Sequence, residues 1–328
     1  MKAIMFADFG NADVLHLAEA PLPEIRPDDI LVKVMAAGVN RADLLQREGV
    51  YGSQTYGDSP ILGLEIAGEV VASGSAVVDF AIGDRVMGIV GGGAYAEYAR
   101  LDSGMVAIIP DGMSFIEAAA VMESFVTGWE ALAHLGQLAK GETVLVHAAA
   151  GGIGSAAVQL GKAVGAHVLA TASTGNIENV LSLGAEAVFD YRRLEFEAEV
   201  VDATASRGVE LIIDLVGGSY LARNIRSLAP GGRLVQVGLL GRDNNAIIPL
   251  DLVLHNHLRL IGTVMKSRPR LEKRAMVRRF AEQVLPMMGG ELRPVIGAVY
   301  PLEEAAEAHR RMEAGGLFGK IVLTGFHQ

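Results

Sequence analysis

Apolar positions follow two different rhythms along the chain. In the first third they form short β-rich runs, Ile30–Val34, Glu65–Ala72 and Gly83–Met87, with glycines at 63, 68, 74, 83, 88, 91, 92 and 93 between them. Little helical periodicity precedes Ser114, so this region predicts a compact, irregular β domain. The middle third alternates. Thr143–His147 is an apolar run suited to a strand buried on both faces. A helical pattern over Ser155–Val164 and a strand at His167–Thr171 follow. A helix near Ile177–Leu183, strands at Ala187–Phe189 and Leu211–Leu215, a helix at Tyr220–Leu228 and a strand at Arg233–Val237 continue the series. Strands and helices in turn predict a parallel, doubly wound sheet, placed at residues 123–264. The tail holds an amphipathic helix (Leu271–Leu285), a strand-like run (Val295–Tyr300), a helix (Leu302–Met312) and a last strand (Lys320–Leu323). These are too few for a separate domain, so 265–328 is expected to complete the domain begun by 1–122.

Composition narrows the class. A chain of 328 residues suits about two domains, and 51% hydrophobic with 20% charged residues leaves ample material for cores. Apolar runs such as Gly141–Ala150 and Gly208–Val216 fall well short of the ~20 residues that cross a bilayer. The N-terminus reaches Asp8 with no signal-peptide core, so a cytoplasmic protein without a membrane partner is expected. There are no cysteines, which removes disulfides, thiolate zinc sites and a cysteine nucleophile. The net charge of −10 opposes nonspecific binding to nucleic acid. The basic stretch Lys266, Arg268, Arg270, Lys273, Arg274, Arg278 and Arg279 reads as a solvated helix face. It has no interleaved aromatics for base stacking, so no nucleic-acid partner is expected.

The strongest motif is Val144-Leu145-Val146-His147-Ala148-Ala149-Ala150-Gly151-Gly152-Ile153-Gly154. It joins a predicted strand to a predicted helix, where a dinucleotide fingerprint must sit. Gly151 lets the backbone approach a pyrophosphate resting on the helix N-terminus, and Gly154 lets the helix pack closely on the sheet. Ala149 stands in place of the first glycine of that pattern. About 20 residues on, an NAD site usually carries an acid for the ribose 2′-hydroxyl. Here the chain reads Thr171-Ala172-Ser173-Thr174-Gly175-Asn176. No carboxylate repels a 2′-phosphate there, and Ser173, Thr174 and Asn176 offer donors. Tyr191, Arg192 and Arg193 follow the next strand. NADP is the expected cofactor.

Several stretches carry a resemblance. They are Ala37–Arg47, Leu62-Gly63-Leu64-Glu65, Gly83-Asp84-Arg85-Val86, Gly92–Tyr98, Ile213–Gly218, Gly231-Gly232-Arg233 and Gly319–Leu323. In this order the chain resembles the medium-chain dehydrogenase/reductases over its full length. Among these it is similar to the zinc-independent quinone oxidoreductases, above all the p53-inducible type. The resemblance implies a GroES-like β-rich catalytic domain and a Rossmann cofactor domain inserted in it, with the cofactor in the cleft between. Alcohol dehydrogenases of the superfamily hold zinc through cysteines and a Gly-His-Glu histidine. This chain has Leu64 at that histidine's place and no cysteine. His255 and His257 sit at an element end and suit no metal role.

Without a Lewis acid, reducing a simple ketone is hard. A quinone or conjugated carbonyl spreads the incoming charge, and orienting two flat partners becomes the protein's task. From the resemblance, Asn40 faces nicotinamide and substrate, and Tyr51 belongs to the acceptor pocket. Cofactor contacts are expected from Asn40, Thr127, Ala150, Gly151, Gly152, Ile153, Ser173, Asn176, Tyr191, Val216, Gly238, Leu239, Leu240, Phe318, Gly319 and Lys320. The relatives' 2′-phosphate lysine near Gly175 or Asn176 is missing. The implied activity is NADPH-dependent reduction of quinones. Reduction of enones or 2-enoyl thioesters, with the basic stretch on coenzyme A phosphates, is the alternative, and a non-catalytic NADPH-binding module is a third reading. A homodimer through the edge strand of the Rossmann sheet, or a tetramer, is implied by the family.

Overall fold

A computed structural model describes residues 1–51 and 59–326. In chain order the first strands are β1 (Lys2–Met5), β2 (His16–Glu19), β3 (Asp29–Val39), β4 (Glu65–Ser73), β5 (Arg85–Ile89), β6 (Tyr98–Asp102) and β7 (Val106–Ile108), with helix α1 (Arg41–Arg47) after β3. A helical passage follows, made of α2 (Phe115–Ala118), a π-helical turn (Met122–Val126), α3 (Thr127–Trp129) and a second π-helical turn (Glu130–Leu135). Then come β8 (Thr143–Val146), α4 (Gly152–Val164), β9 (His167–Ala172), α5 (Ile177–Ser182), β10 (Ala187–Asp190), α6 (Phe196–Ala203) and β11 (Val209–Asp214). The series goes on with α7 (Tyr220–Ser227), β12 (Leu228–Gln236), α8 (Leu250–His255), β13 (Arg259–Gly262) and α9 (Arg270–Gln283). It ends with β14 (Ile296–Pro301), α10 (Ala305–Glu313) and β15 (Lys320–Thr324).

The chain divides into two compact units, Met1–Val126 with Lys266–Gln328, and Thr127–Met265. In the first, a seven-stranded sheet runs β14-β15-β3-β4-β5-β7, with β6 also on β3. Long β3 is its spine, and the tail enters the sheet as β15, antiparallel to β3 with Val322 opposite Gly38. Alternate β3 residues Ile30, Val32 and Val34 are fully buried with Ile66, Val86 and Leu101. This alternation is what a half-buried antiparallel strand requires. The α1 helix was not evident in the sequence. Its seven residues are too few to show a period, and its signal lies in the cap, where the Asp43 carboxylate accepts from the Asn40 N–H at 2.8 Å.

The second unit is a six-stranded parallel sheet in the order β10-β9-β8-β11-β12-β13. Its strand order reverses between β8 and β11, and ligands of such sheets lie beyond the carboxyl ends of the strands at that reversal. Small residues let α4 lie against the sheet, with Ala156, Ala157 and Leu160 fully buried. Gly165, in the left-handed conformation at φ 82°, stops the helix. The second core gathers Leu145, Phe196, Val209, Ile212 and Ile225. Edge strand β13 and helix α8 are additions to the sequence reading, since a four-residue, mostly exposed strand shows no buried face to detect.

Candidate active site

Sheet register assembles the polar centre of the first unit. Gly38 pairs with Glu65, and Ile321 with Val39, so the end of β3, the start of β4 and the start of β15 meet. Asn40, Glu65 and Lys320 therefore converge. The Lys320 ammonium donates to Glu65 Oε1 at 2.5 Å and to Asn40 Oδ1 at 2.6 Å, while Asn40 Nδ2 donates to Glu65 Oε1 at 2.9 Å. Glu65 Oε2 accepts from the Glu123 main-chain N–H at 2.9 Å. Glu65 is fully buried and Lys320 nearly so. Gly38 is required here, because a Cβ on it would strike the Ala119 carbonyl oxygen and the Glu65 carboxylate.

A polarised hydrogen-bond chain leads away from this centre. Asp43 Oδ2 accepts from the Tyr95 hydroxyl at 3.1 Å, and that hydroxyl contacts His309 Nε2 at 3.1 Å. Arg47 donates to His309 Nδ1 at 3.2 Å and pairs with Glu313 at 2.5 Å. A guanidinium only donates, so Nδ1 is the acceptor and Nε2 carries the proton, given to Tyr95. Burial, then the Arg47 and Arg41 charges, push His309 down to about 3, so it stays neutral. Burial lifts the Asp43 carboxyl to about 7 against the Asn40 N–H bond, and its Oδ1 has no partner among the described residues. Burial also lifts Glu123 to about 8, helped by the Glu65 charge, and Tyr51 to about 12, helped by Glu123 and Asp43. The Lys266 ammonium lies 4.7 Å from the centre of the Tyr51 ring.

Zinc does not fit this donor set. The cation among the carboxylates is the Lys320 ammonium, and among the described residues no three His, Asp or Glu side chains converge to hold a metal. Among the described residues, too, no helix is long and apolar enough to cross a membrane. Three of the seven residues of the basic stretch pair with acids. Arg270 and Arg274 pair with Asp28 and Asp102, and Arg268 with Glu272. That leaves less charge for coenzyme A phosphates than the sequence suggested.

In the second unit the expected cofactor residues lie at one end of the sheet. Ala150, Gly151, Gly152 and Ile153 follow β8; Ser173 and Asn176 follow β9; Tyr191 follows β10; Val216 follows β11; Gly238, Leu239 and Leu240 follow β12. All are at the carboxyl ends of parallel strands. A Cβ on Gly154 would strike the Ala148 carbonyl and the Ala149 main chain, so the loop fits closely under the start of α4. Ala148 itself takes φ 50°. Beneath the loop, buried His147 bonds Thr171 Oγ1 at 2.9 Å and Asn224 Oδ1 at 2.7 Å. Asn224 in turn donates to Asp214, whose other oxygen accepts from the Val216 and Gly217 N–H groups. A dinucleotide suits this cradle. Asp190 ties the β9 and β10 loops together, accepting from Thr174 Oγ1 at 2.5 Å and from the Arg192 N–H at 3.0 Å. Its pKa is lowered, first by the Thr174 hydrogen bond. Arg192 and Arg193, both exposed, thus stand beside the loop that lacks its own cation.

Of the expected residues, Asn40 and Lys320 are brought into contact in the first unit. Tyr51 sits near the same acids, and Phe318 and Gly319 lead into β15. Thr127 opens α3, buried in the second unit. Asp43, Glu65, Tyr95, Glu123 and His309 were not assigned roles from sequence. Glu65 and Glu123 had a readable signal, as single acids inside apolar runs (Leu62–Ala67 and Ala118–Val126).

The comparisons agree with this architecture. Residues 26–111 match the family "Alcohol dehydrogenase GroES-like domain" and residues 183–323 the family "Zinc-binding dehydrogenase". The chain is 35% identical to the quinone oxidoreductase of Sus scrofa over 331 residues, covering 98% of this chain and 97% of that one. The quinone oxidoreductase from Coxiella burnetii superposes with a TM-score of 0.80 at 33% identity, covering 99% of both chains. The CurK enoyl reductase superposes with a TM-score of 0.87 at 27% identity, over 99% of both. The chain is an oxidoreductase with a Rossmann domain for a nicotinamide cofactor, and it belongs to the zinc-independent quinone oxidoreductase family of the medium-chain dehydrogenase/reductases.

Proposed function

We propose that the protein is an NADPH-dependent quinone oxidoreductase that needs no metal. The observation that carries this reading is the centre where Lys320 joins Asn40 and Glu65 at three strand ends, with an ammonium and an amide where a zinc enzyme needs metal donors. The bound cofactor would supply two electrons and a proton as hydride. Asn40, held by both Lys320 and the Asp43 cap, offers a fixed amide to orient flat partners. Tyr51 supplies an aromatic face beside them. Exposed Arg192 and Arg193, one strand over from Ser173 and Asn176, support preference for the 2′-phosphate of NADP.

A second reading, reduction of enones or 2-enoyl thioesters, is favoured by the similarity to the CurK enoyl reductase. Initial rates with ortho-naphthoquinone, para-benzoquinone, an enone and crotonyl-CoA, each with NADPH and with NADH, separate the two. Quinone turnover with NADPH supports the first. Turnover of the enone or thioester alone supports the second. We further propose a cytoplasmic homodimer formed through edge strand β13, supported by Leu250, Leu254 and Leu260, which are 67%, 70% and 40% exposed on α8 and β13. A tetramer would need a second such face.

A further inference from the structure

Reduction of a quinone by hydride leaves the product one proton short of its neutral form. We infer that Glu123 is the acid that supplies this proton; the inference rests on the quinone reductase reading above. Three carboxyls share the centre, Glu65, Asp43 and Glu123, and their hydrogen bonds divide them. Glu65 accepts from Lys320, from Asn40 Nδ2 and from the Glu123 N–H, so three donors converge on its side chain. Asp43 accepts from the Asn40 N–H and the Tyr95 hydroxyl. Among the described residues the Glu123 carboxyl accepts no hydrogen bond, so only the charges of Lys320 and Lys266 act against the cost of its own charge. Glu65 and Asp43 are also sealed at 0% exposure, whereas Glu123 is partly exposed and able to meet a ligand. It sits in a π-helical turn, a distortion often found at functional sites.

The groups acting on Glu123 are named by element: Glu65 from β4, Lys320 from β15, Asp43 from α1, and Lys266 before α9. Tyr51 feels its charge in turn. Lys273 of α9 acts on Lys266, and Arg85 of β5 is engaged by the Met113 carbonyl and the Phe115 ring. Burial outweighs the two lysines and lifts Glu123 to about 8, close to the working pH of an efficient acid. Tyr51, at about 12, is a much poorer donor.

The step balances. Two electrons and one proton arrive as hydride from the reduced nicotinamide, which leaves oxidised, and the acceptor becomes a hydroquinone monoanion. The Oε–H bond of Glu123 breaks, an O–H bond forms on the product, and Glu123 is left as carboxylate until solvent returns a proton.

Infrared spectroscopy of the cofactor-free protein, wild type and Glu123→Gln, tests where the proton resides. The expected result is a carboxylic-acid absorption in two components, one fading as pH rises through about 7 from Asp43 and one through about 8 from Glu123, of which only the second is missing from the variant. Stopped-flow reduction of ortho-naphthoquinone by NADPH tests its transfer. Glu123→Gln should lower kcat about 10²–10⁴-fold, leave NADPH affinity unchanged, and erase the alkaline fall in rate. Glu123→Asp, which keeps the acid, should retain the band and recover part of the rate. An unchanged band in Glu123→Gln overturns the assignment, as does an unchanged rate and pH profile. A wild type that shows the titrating band yet reduces no quinone overturns the function reading and the transfer step, while the proton's location stands.

Discussion

Replacing Lys320 with Met tests whether the centre is a true buried ion pair. The ammonium is 5% exposed and its partner Glu65 0% exposed, at 2.5 Å. Met nearly preserves the volume but removes the charge, so Glu65 keeps only its two neutral donors. Breaking a buried pair by removing one partner costs about 3–5 kcal/mol, because the remaining charge is left uncompensated. For a domain of this size roughly 1 kcal/mol moves Tm by 2–4 °C, so a loss of roughly 6–20 °C is expected. Urea unfolding of the variant beside the wild type should show the same deficit. Adding Glu65→Gln to Lys320→Met should return much of the loss. A deficit under about 1 kcal/mol, the range of an exposed pair, would refute the reasoning.

Other perturbations address other parts of the molecule. Gly154→Val places atoms against the Ala148 carbonyl and Ala149, so nicotinamide binding by fluorescence titration should fall at least about tenfold; unchanged affinity would move the pyrophosphate elsewhere. Charge reversal of Arg192 and Arg193 to Glu should weaken NADPH binding about 10–100-fold at the ~1.5–3 kcal/mol of a charged hydrogen bond and leave NADH binding unchanged; an equal loss for both would remove these residues from the 2′-phosphate. Asp43 and Glu123 are raised to about 7 and about 8 when folded. They contribute stability that is full below the ordinary carboxylate range and lost as pH rises through those values, so wild-type unfolding midpoints should fall between about pH 4 and pH 8, and Glu123→Gln should flatten the slope.

The parallel sheet was legible because each of its central strands is an apolar run bounded by glycine and followed by a helix of regular period. Val144–Val146 and Ile212–Ile213 are fully buried on the pattern their sequence announces. The glycine loop after β8 was legible for a related reason, since Gly154 answers to local backbone geometry, a Cβ there striking the Ala148 carbonyl. The polar centre of the first unit was only half legible. Asn40 and Lys320 are 280 positions apart, and only the pairing of β15 with β3 makes them neighbours. His309 lies in an ordinary amphipathic helix, and its partners Tyr95 and Arg47 are more than two hundred residues away. No local pattern records such a meeting.

The most direct test of the account is a stopped-flow trace of reduced-nicotinamide absorbance after metal-stripped protein and NADPH are mixed with ortho-naphthoquinone. The account requires rapid oxidation that is insensitive to chelator, slower with NADH, and diminished in Asn40→Ala. Bound NADPH that no quinone, enone or crotonyl-CoA oxidises would contradict it and leave a nucleotide-binding module in its place.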